Sequence, residues 1–242
     1  MTSCAGFRQE VRSLRSPLPM QRSRFRILIP QKALDRAKTR LRTVLAEEDR
    51  RTLVLAMLRR ALETGAQVPG AEGLVLDGPA EVEALAAEFG ATLVPGGVAG
   101  MRRDVAEAAQ SAAVGDDCAL LIVSSDLPRV NVPDLERVVA AWRAGTEIVL
   151  VPDRRERGTN VMMVDRPAPF PYAFGGALDK GSFETHLTQA QGTGLSVAVL
   201  RVPDLALDLD LPADLAVFAE ESPEDPLARF CLAHARESFV FE

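Results

Sequence analysis

Short runs of Val, Leu and Ile alternate along this chain with longer stretches whose apolar residues recur every three or four positions. No other feature constrains the fold as much, because period and length together separate buried strands from amphipathic helices. Seven runs read as strands: Arg26–Ile29, Gly73–Leu76, Ala91–Val94, Ala119–Ser124, Glu147–Val151, Val161–Val164 and Ser196–Val202. They are apolar nearly throughout, as strands covered on both faces are. Between them, Glu47–Thr64 sets Val54, Leu58 and Leu62 on one stripe with Leu55 beside it, and Gly65 stands where a helix end favours a left-handed residue. Pro79 opens the next helix and Gly90 closes it; Asp134–Ala144 stops at Gly145; Ser182 reads as the N-cap of a helix reaching Thr193. The order predicts an α/β fold, a mostly parallel mixed sheet flanked by helices. Two connections, Pro95–Gly100 and Arg166–Gly181, exceed ordinary α/β turns and are expected to border the site.

Composition narrows the function classes. The longest apolar runs, such as Ala119–Val123, fall far short of the ~20 residues that a membrane helix needs, so no membrane is expected and a cytoplasmic protein is. Cys4, Cys118 and Cys231 stand far apart without a CxxC pair, which leaves neither a disulfide framework nor a cysteine metal site. Residues 1–24 hold five Arg and one Glu, a charge of +4, so the rest of the chain must carry −10 to give the net −6. An acidic body argues against a nucleic-acid groove. The leading segment has two prolines and no hydrophobic period, which predicts a loose basic tail over 1–24, with Met20 as an alternative start, and one domain over 25–242. Oligomeric state stays open, a homo-oligomer included.

With only His186 and His234, and no GxSxG, GxxxxGK[ST] or GxGxxG, the chain is a poor match to serine hydrolases, P-loop enzymes and dinucleotide-binding dehydrogenases. Four signals remain. Lys32, Lys38 and Arg40 follow the first strand, where a parallel sheet presents its ligands, although solvated helix charges are equally common. Asp126 leaves an apolar strand just ahead of Pro128, placed either to hold a hard cation or to cap Val130 or the next helix. In Leu207-Asp208-Leu209-Asp210-Leu211, an extended backbone would put both acids on one face, where their repulsion favours a cation between them. Asp214, after Pro212, is satisfied by the helix dipole. Lastly, Gly158-Thr159 and Gly181-Ser182 place hydroxyls after glycines, with Ser182 at a helix N-terminus that favours an anion. His186, one turn beyond Ser182, either faces that anion or packs; Trp142 reads as core and His234 as surface.

In order and spacing these residues resemble the guanylyltransferases of deazaflavin coenzyme F-420 biosynthesis, which act on 2-phospho-L-lactate, phosphoenolpyruvate or 3-phosphoglycerate. The resemblance is carried by Ile29-Pro30-x-Lys32, Ala37-Lys38-Thr39-Arg40-Leu41, Asp126-Leu127-Pro128, Gly158-Thr159-Asn160, Gly181-Ser182-Phe183-x-x-His186 and Asp208-x-Asp210-x-Pro212-x-Asp214-Leu215, from about Arg26 to Phe218. It implies a nucleotidyltransferase fold of GT-A-like type. It also implies GTP on the first half, beside Lys32, Lys38, Arg40 and Gly100, with Lys32 and Asp126 catalytic. Mg²⁺ would be held by Asp126 with Asp208 or Asp210, and a phosphorylated three-carbon acid by Thr159, Gly181, Ser182 and His186. A related enzyme with another nucleotide or acceptor, such as a molybdopterin-type transferase, and a catalytically silent nucleotide-binding regulator are the alternatives. The chain departs from the family where Gly100-Met101-Arg102-Arg103-Asp104 replaces Gly-Leu-Asn, where the Gly175–Lys180 stretch is longer, and where Leu211 replaces a capping Thr.

Overall fold

The computed structural model describes residues 24–31, 34, 37–96, 101–111, 113–115, 118–165, 170–174 and 180–235. Residues 1–23 of the basic tail, with Cys4 among them, Lys32, Gly100 and most of both long connections lie outside these residues.

Strands β1 (Phe25–Pro30), β2 (Ala71–Leu76), β3 (Thr92–Val94), β4 (Ala119–Val123), β5 (Ile148–Pro152), β6 (Thr159–Val164) and β7 (Val197–Val199) form one sheet in the order β3-β2-β1-β4-β6-β5-β7. Pairing is parallel except where β6 runs against both of its neighbours, β4 and β5. Each predicted strand is present. The centre of the sheet is apolar because both of its faces are covered: in β4, Ala119, Leu121 and Val123 enter one core, while Leu120 and Ile122 enter the other.

The first core is closed by α1 (Glu47–Gln67), α2 (Ala80–Glu88), α4 (Val132–Arg143), α7 (Pro212–Glu221) and α8 (Pro226–His234). Trp142 of α4 lies there, edge-on to Phe25. The second core takes Val105, Ala108 and Ala109 from α3 (Met101–Ala109), with Phe183 and Ala190 from α5 (Gly181–Gly192). A one-turn helix, α6 (Pro203–Ala206), leads into the acidic segment.

Two local expectations are corrected. Helix α1 continues through Gly65 to Gln67, packing that glycine against Ile27 of β1, and the left-handed glycine at its end is Gly70 (φ 82°). Lys180 rather than Ser182 is the N-cap of α5. Helix α3, over which the sequence reading placed no element, buries Asp104, Val105, Ala108 and Ala109.

Topology then fixes where a ligand can sit. From β1 the chain proceeds to β2 on one side, whereas β4 pairs on the other, so the carboxyl ends of β1 and β4 flank a switch point, the usual ligand crevice of open α/β sheets. Antiparallel β6 begins at that same edge: the backbone N–H of Ser124 donates to the Asn160 carbonyl at 2.9 Å, which brings Thr159 beside the end of β4.

Candidate active site

A cleft of about 430 Å³ opens at this edge. Its walls include Gln31, Lys38 and Arg40 after β1, Ser124–Asp126 after β4, Thr159 at the start of β6, Ser182 on α5, and Asp208 with Asp210 ahead of α7.

The acids converge for local reasons. Residues 207–210 are extended, so Leu207 and Leu209 are buried while Asp208 and Asp210 face the cleft, which is the period-two arrangement expected from the sequence. The backbone N–H of Leu209 donates to the Asp126 carbonyl at 3.2 Å and docks the segment against the end of β4. Asn160 supports it from beneath, its side-chain amide donating to the Leu205 carbonyl at 3.0 Å. Beyond the segment, the Asp214 carboxylate accepts the backbone N–H groups of Asp210 (3.1 Å) and Leu211 (2.7 Å) and is paired with Arg155 at 2.8 Å. Asp214 therefore does more than meet the helix dipole. It supplies the reciprocal bond of a capping box, in which Leu211 offers no side-chain oxygen of its own.

Carboxylate oxygens of Asp126, Asp208 and Asp210 lie within 4.8 Å of one another. Lys38 enters between two of them: its Nζ donates to Asp126 Oδ2 at 2.7 Å and to Asp210 Oδ1 at 2.6 Å. Burial alone would lower the pKa of this ammonium group, but the two carboxylates outweigh it and hold the group above the ordinary lysine range. Arg40 stands further out, 3.9 Å from Asp210 and largely exposed. Among the described residues Asp208 has no such hydrogen-bonded ammonium. Burial, then the charges of Asp126 and Asp210, push its carboxyl up to about 7 against the pull of Lys38. Among the described residues, Lys38 and the more distant Arg40 leave the three acids under-neutralised, and hard oxygen donors in that state suit a divalent cation such as Mg²⁺. Asp126 is not a helix cap: Asn131 fills that role for α4, accepting the Asp134 N–H at 3.0 Å.

The opposite wall carries hydroxyls. Gly158 leaves room for Asp153, whose Oδ2 would lie 3.0 Å from a Cβ at that position, and the Asp153 carboxylate holds the turn by accepting the N–H of Arg157 at 2.8 Å. Gly181 has φ +81°, and any Cβ there would lie 2.3 Å from the Arg157 carbonyl oxygen, so only glycine lets α5 start this close to the 154–158 turn. That contact brings the Ser182 hydroxyl to the Thr159 N–H (2.9 Å). His186 is fully buried beneath them, bonded to Thr159 Oγ1 and the Ala173 N–H and packed by Phe170 and Phe174. Burial, with the nearby charge of Arg102, lowers its pKa to about 4, so the ring is neutral at pH 7.

Among the expected site residues, Lys38, Arg40, Asp126, Thr159, Ser182, Asp208 and Asp210 line one cleft. Gly181 and His186 shape it from behind, and Lys32 and Gly100 lie outside the described residues. Sequence reasoning passed over Gln31, Met101 and Phe174 on the cleft wall, together with Asn160 and Arg155 in support. Asn160 closes the Gly-Thr-Asn motif, but only the position of the Leu205 carbonyl reveals its work.

Residues 25–220 match the model of the family described as "Guanylyl transferase CofC like". The chain belongs to that family. The CofC-like assignment is matched by individual relatives. Phosphoenolpyruvate guanylyltransferase of Sphaerobacter thermophilus is 38% identical over 201 residues, covering 81% of this chain and 93% of the relative. The 3-phospho-D-glycerate guanylyltransferase of Phenylobacterium zucineum is 33% identical over 186 residues, covering 74% and 82%. Among solved structures, a chain from Desulfovibrio desulfuricans G20 superimposes with a TM-score of 0.68 at 16% identity, covering 86% of this chain and 94% of that one. The 4-diphosphocytidyl-2C-methyl-D-erythritol synthase of Anaerococcus prevotii gives 0.54 at 11%, covering 84% and 97%. At such identities these likenesses establish a nucleotidyltransferase-like fold. This CofC-like chain is accordingly an enzyme of the nucleotidyltransferase class, and among its described residues no helix is long and apolar enough to cross a membrane.

Proposed function

We propose that the protein transfers GMP from GTP to a small phosphorylated carboxylic acid, namely phosphoenolpyruvate, 2-phospho-L-lactate or 3-phosphoglycerate, with release of pyrophosphate, as a step in coenzyme F-420 biosynthesis. One observation carries this reading: acids from two distant stretches of chain, Asp126 and the Asp208/Asp210 pair, meet Lys38 at the mouth of a cleft whose other wall presents the Thr159 and Ser182 hydroxyls. The names of the relatives support the nucleotide and the acceptor class.

The chemistry suits these residues. A phosphate oxygen of the acceptor attacks the α-phosphorus of GTP, a new P–O bond forms, and the bond to the β-phosphate breaks with its electron pair leaving on pyrophosphate. A phosphate monoester is already anionic at neutral pH, so no general base is required, in keeping with a buried, neutral His186. Catalysis then rests on alignment and charge neutralisation. Asp126, Asp208 and Asp210 would hold Mg²⁺, which when bound supplies positive charge at the phosphates. Lys38 adds a fixed ammonium, Arg40 a guanidinium at the rim, and Lys32 and Gly100 complete the nucleotide side on the strength of their motifs. Thr159 and Ser182, brought together by Gly181, would bind the acceptor. We further assign the tail to residues 1–24 and one catalytic domain to 25–242.

The test is a matrix of GTP, CTP and ATP against the three acids with Mg²⁺, read by pyrophosphate release and product mass. Release with GTP and one of the acids, with product mass equal to acid plus GMP, is the expected result. Turnover only with CTP or ATP, or none with any pair, overturns the reading.

A further inference from the structure

Thr159 and Ser182 each have an acceptor lone pair already engaged. The Thr159 N–H donates to Ser182 Oγ at 2.9 Å, and His186 Nδ1 lies 2.9 Å from Thr159 Oγ1. The direction of the second bond is set by the other ring nitrogen. The backbone N–H of Ala173 meets Nε2 at 2.7 Å, and a backbone N–H can only donate. Nε2 is therefore the lone-pair nitrogen. A neutral imidazole has one donor and one acceptor, so the hydrogen sits on Nδ1 and is donated to Thr159 Oγ1. Full burial between Phe170 and Phe174 keeps the ring neutral, and Arg102 nearby opposes a second proton.

A hydroxyl has a single hydrogen. With Thr159 Oγ1 accepting from His186, its own hydrogen must be given elsewhere, and the same holds for Ser182. Among the described residues neither hydrogen finds an acceptor, and both residues line the cleft. We propose that His186 is a positioning residue that fixes the Thr159 hydroxyl as a donor, so that Thr159 and Ser182 form a two-donor cradle for an anionic oxygen of the acceptor. With the hydrogen on Nε2 instead, Thr159 would donate back to the ring and show the cleft only lone pairs, which repel an anion. Fixing the donor in advance spares the reorganisation that a freely rotating hydroxyl undergoes on binding.

This inference rests on the guanylyl-transfer reading, and two measurements keep the failures of the two apart. The first uses wild-type protein labelled with ¹⁵N-histidine and needs no turnover. Two-bond ¹H–¹⁵N spectra at pH 7 contain only His186 and His234, with His234→Gln giving the assignment. A protonated Nδ1 and an unprotonated Nε2 at His186 are expected; hydrogen on Nε2, or on both nitrogens, overturns the proposal. The second is steady-state kinetics with GTP and whichever of the three acids supports turnover. His186→Gln can still accept from Ala173 through its carbonyl but cannot donate at the Nδ1 position, whereas His186→Asn retains an amide donor there. His186→Gln and Thr159→Val should each raise the acceptor KM about tenfold or more with the GTP KM little changed, since Thr159→Val removes a donor to a charged group and His186→Gln leaves that donor no longer held towards it. His186→Asn should recover much of the loss, and His186→Gln should add little to Thr159→Val. Equal losses in the Gln and Asn variants, or additive losses in the double variant, overturn the role. Absence of wild-type turnover with all three acids would defeat the guanylyl-transfer reading, while the spectrum still decides the tautomer.

Discussion

Lys38 adopts a left-handed backbone conformation (φ 53°, ψ 35°) that a non-glycine residue holds only when its surroundings compel it. Here the two bonds from its ammonium to Asp126 and Asp210 supply the compulsion. Removing one partner has a defined consequence. Asp126→Asn should cut turnover by about a hundredfold or more, the scale seen when one preorganised charged contact is lost, while the circular dichroism spectrum stays native. Near-normal pyrophosphate release by that variant would refute the role of Asp126. His186 makes a separate prediction about pH. Its folded pKa, about 4, lies below the ordinary value of 6.5, so between these limits the unfolded chain binds the extra proton. The contribution is therefore fully present above pH 6.5 and fades as pH falls towards 4, reaching on the order of 3 kcal/mol at most. Denaturant midpoints of the wild type should drop from about pH 7 to about pH 5, and His186→Gln should flatten that part of the profile.

Each wall of the cleft depends on how one element is started. For α5 the constraint is steric: Gly181→Ala would combine a left-handed φ with a Cβ 2.3 Å from the Arg157 carbonyl oxygen. A loss of about 2 kcal/mol or more is expected, a fall in Tm of about 4–8 °C in a chain of this size, and an unchanged Tm would contradict the contact. At α7 the constraint is electrostatic. Asp214 ties the N–H groups of Asp210 and Leu211 to Arg155, so Asp214→Ala should cost about 1–2 kcal/mol through the lost cap and should also raise the Mg²⁺ concentration needed for half-maximal turnover. A stability loss with no change in Mg²⁺ demand would confine Asp214 to the helix.

At the scale of the whole molecule, the sheet order brings β1, β4 and the start of β6 to one edge, and the acidic segment closes over them. Repulsion among those acids, only partly offset by Lys38, opposes folding, and a bound divalent cation would relieve it. Mg²⁺ at about a hundred times its Kd should stabilise the protein by about 2.7 kcal/mol, a thermal shift of several degrees that EDTA reverses. No shift with Mg²⁺ or Mn²⁺, alone or with GTP, would show that the three acids do not hold the ion.

The strands, most of the helices and the alternation that turns Asp208 and Asp210 to one side were legible in the sequence, because burial imposes a local period of two or 3.6 on the residues themselves. Lys38, Asp126 and the paired acids could be named as candidates, since charge at a strand exit is a local signal. Their meeting was implied by the family resemblance but by no local pattern, because it depends on β4 lying beside β1 and on one backbone bond from Leu209 to Asp126, pairings between positions far apart in the chain. The same holds for Gly181, whose necessity lies in the approach of Arg157, and for His186, whose proton is placed by Ala173. Local pattern determined the elements and the chemical candidates; three-dimensional packing alone decided which candidates share a site, and which merely hold it in shape.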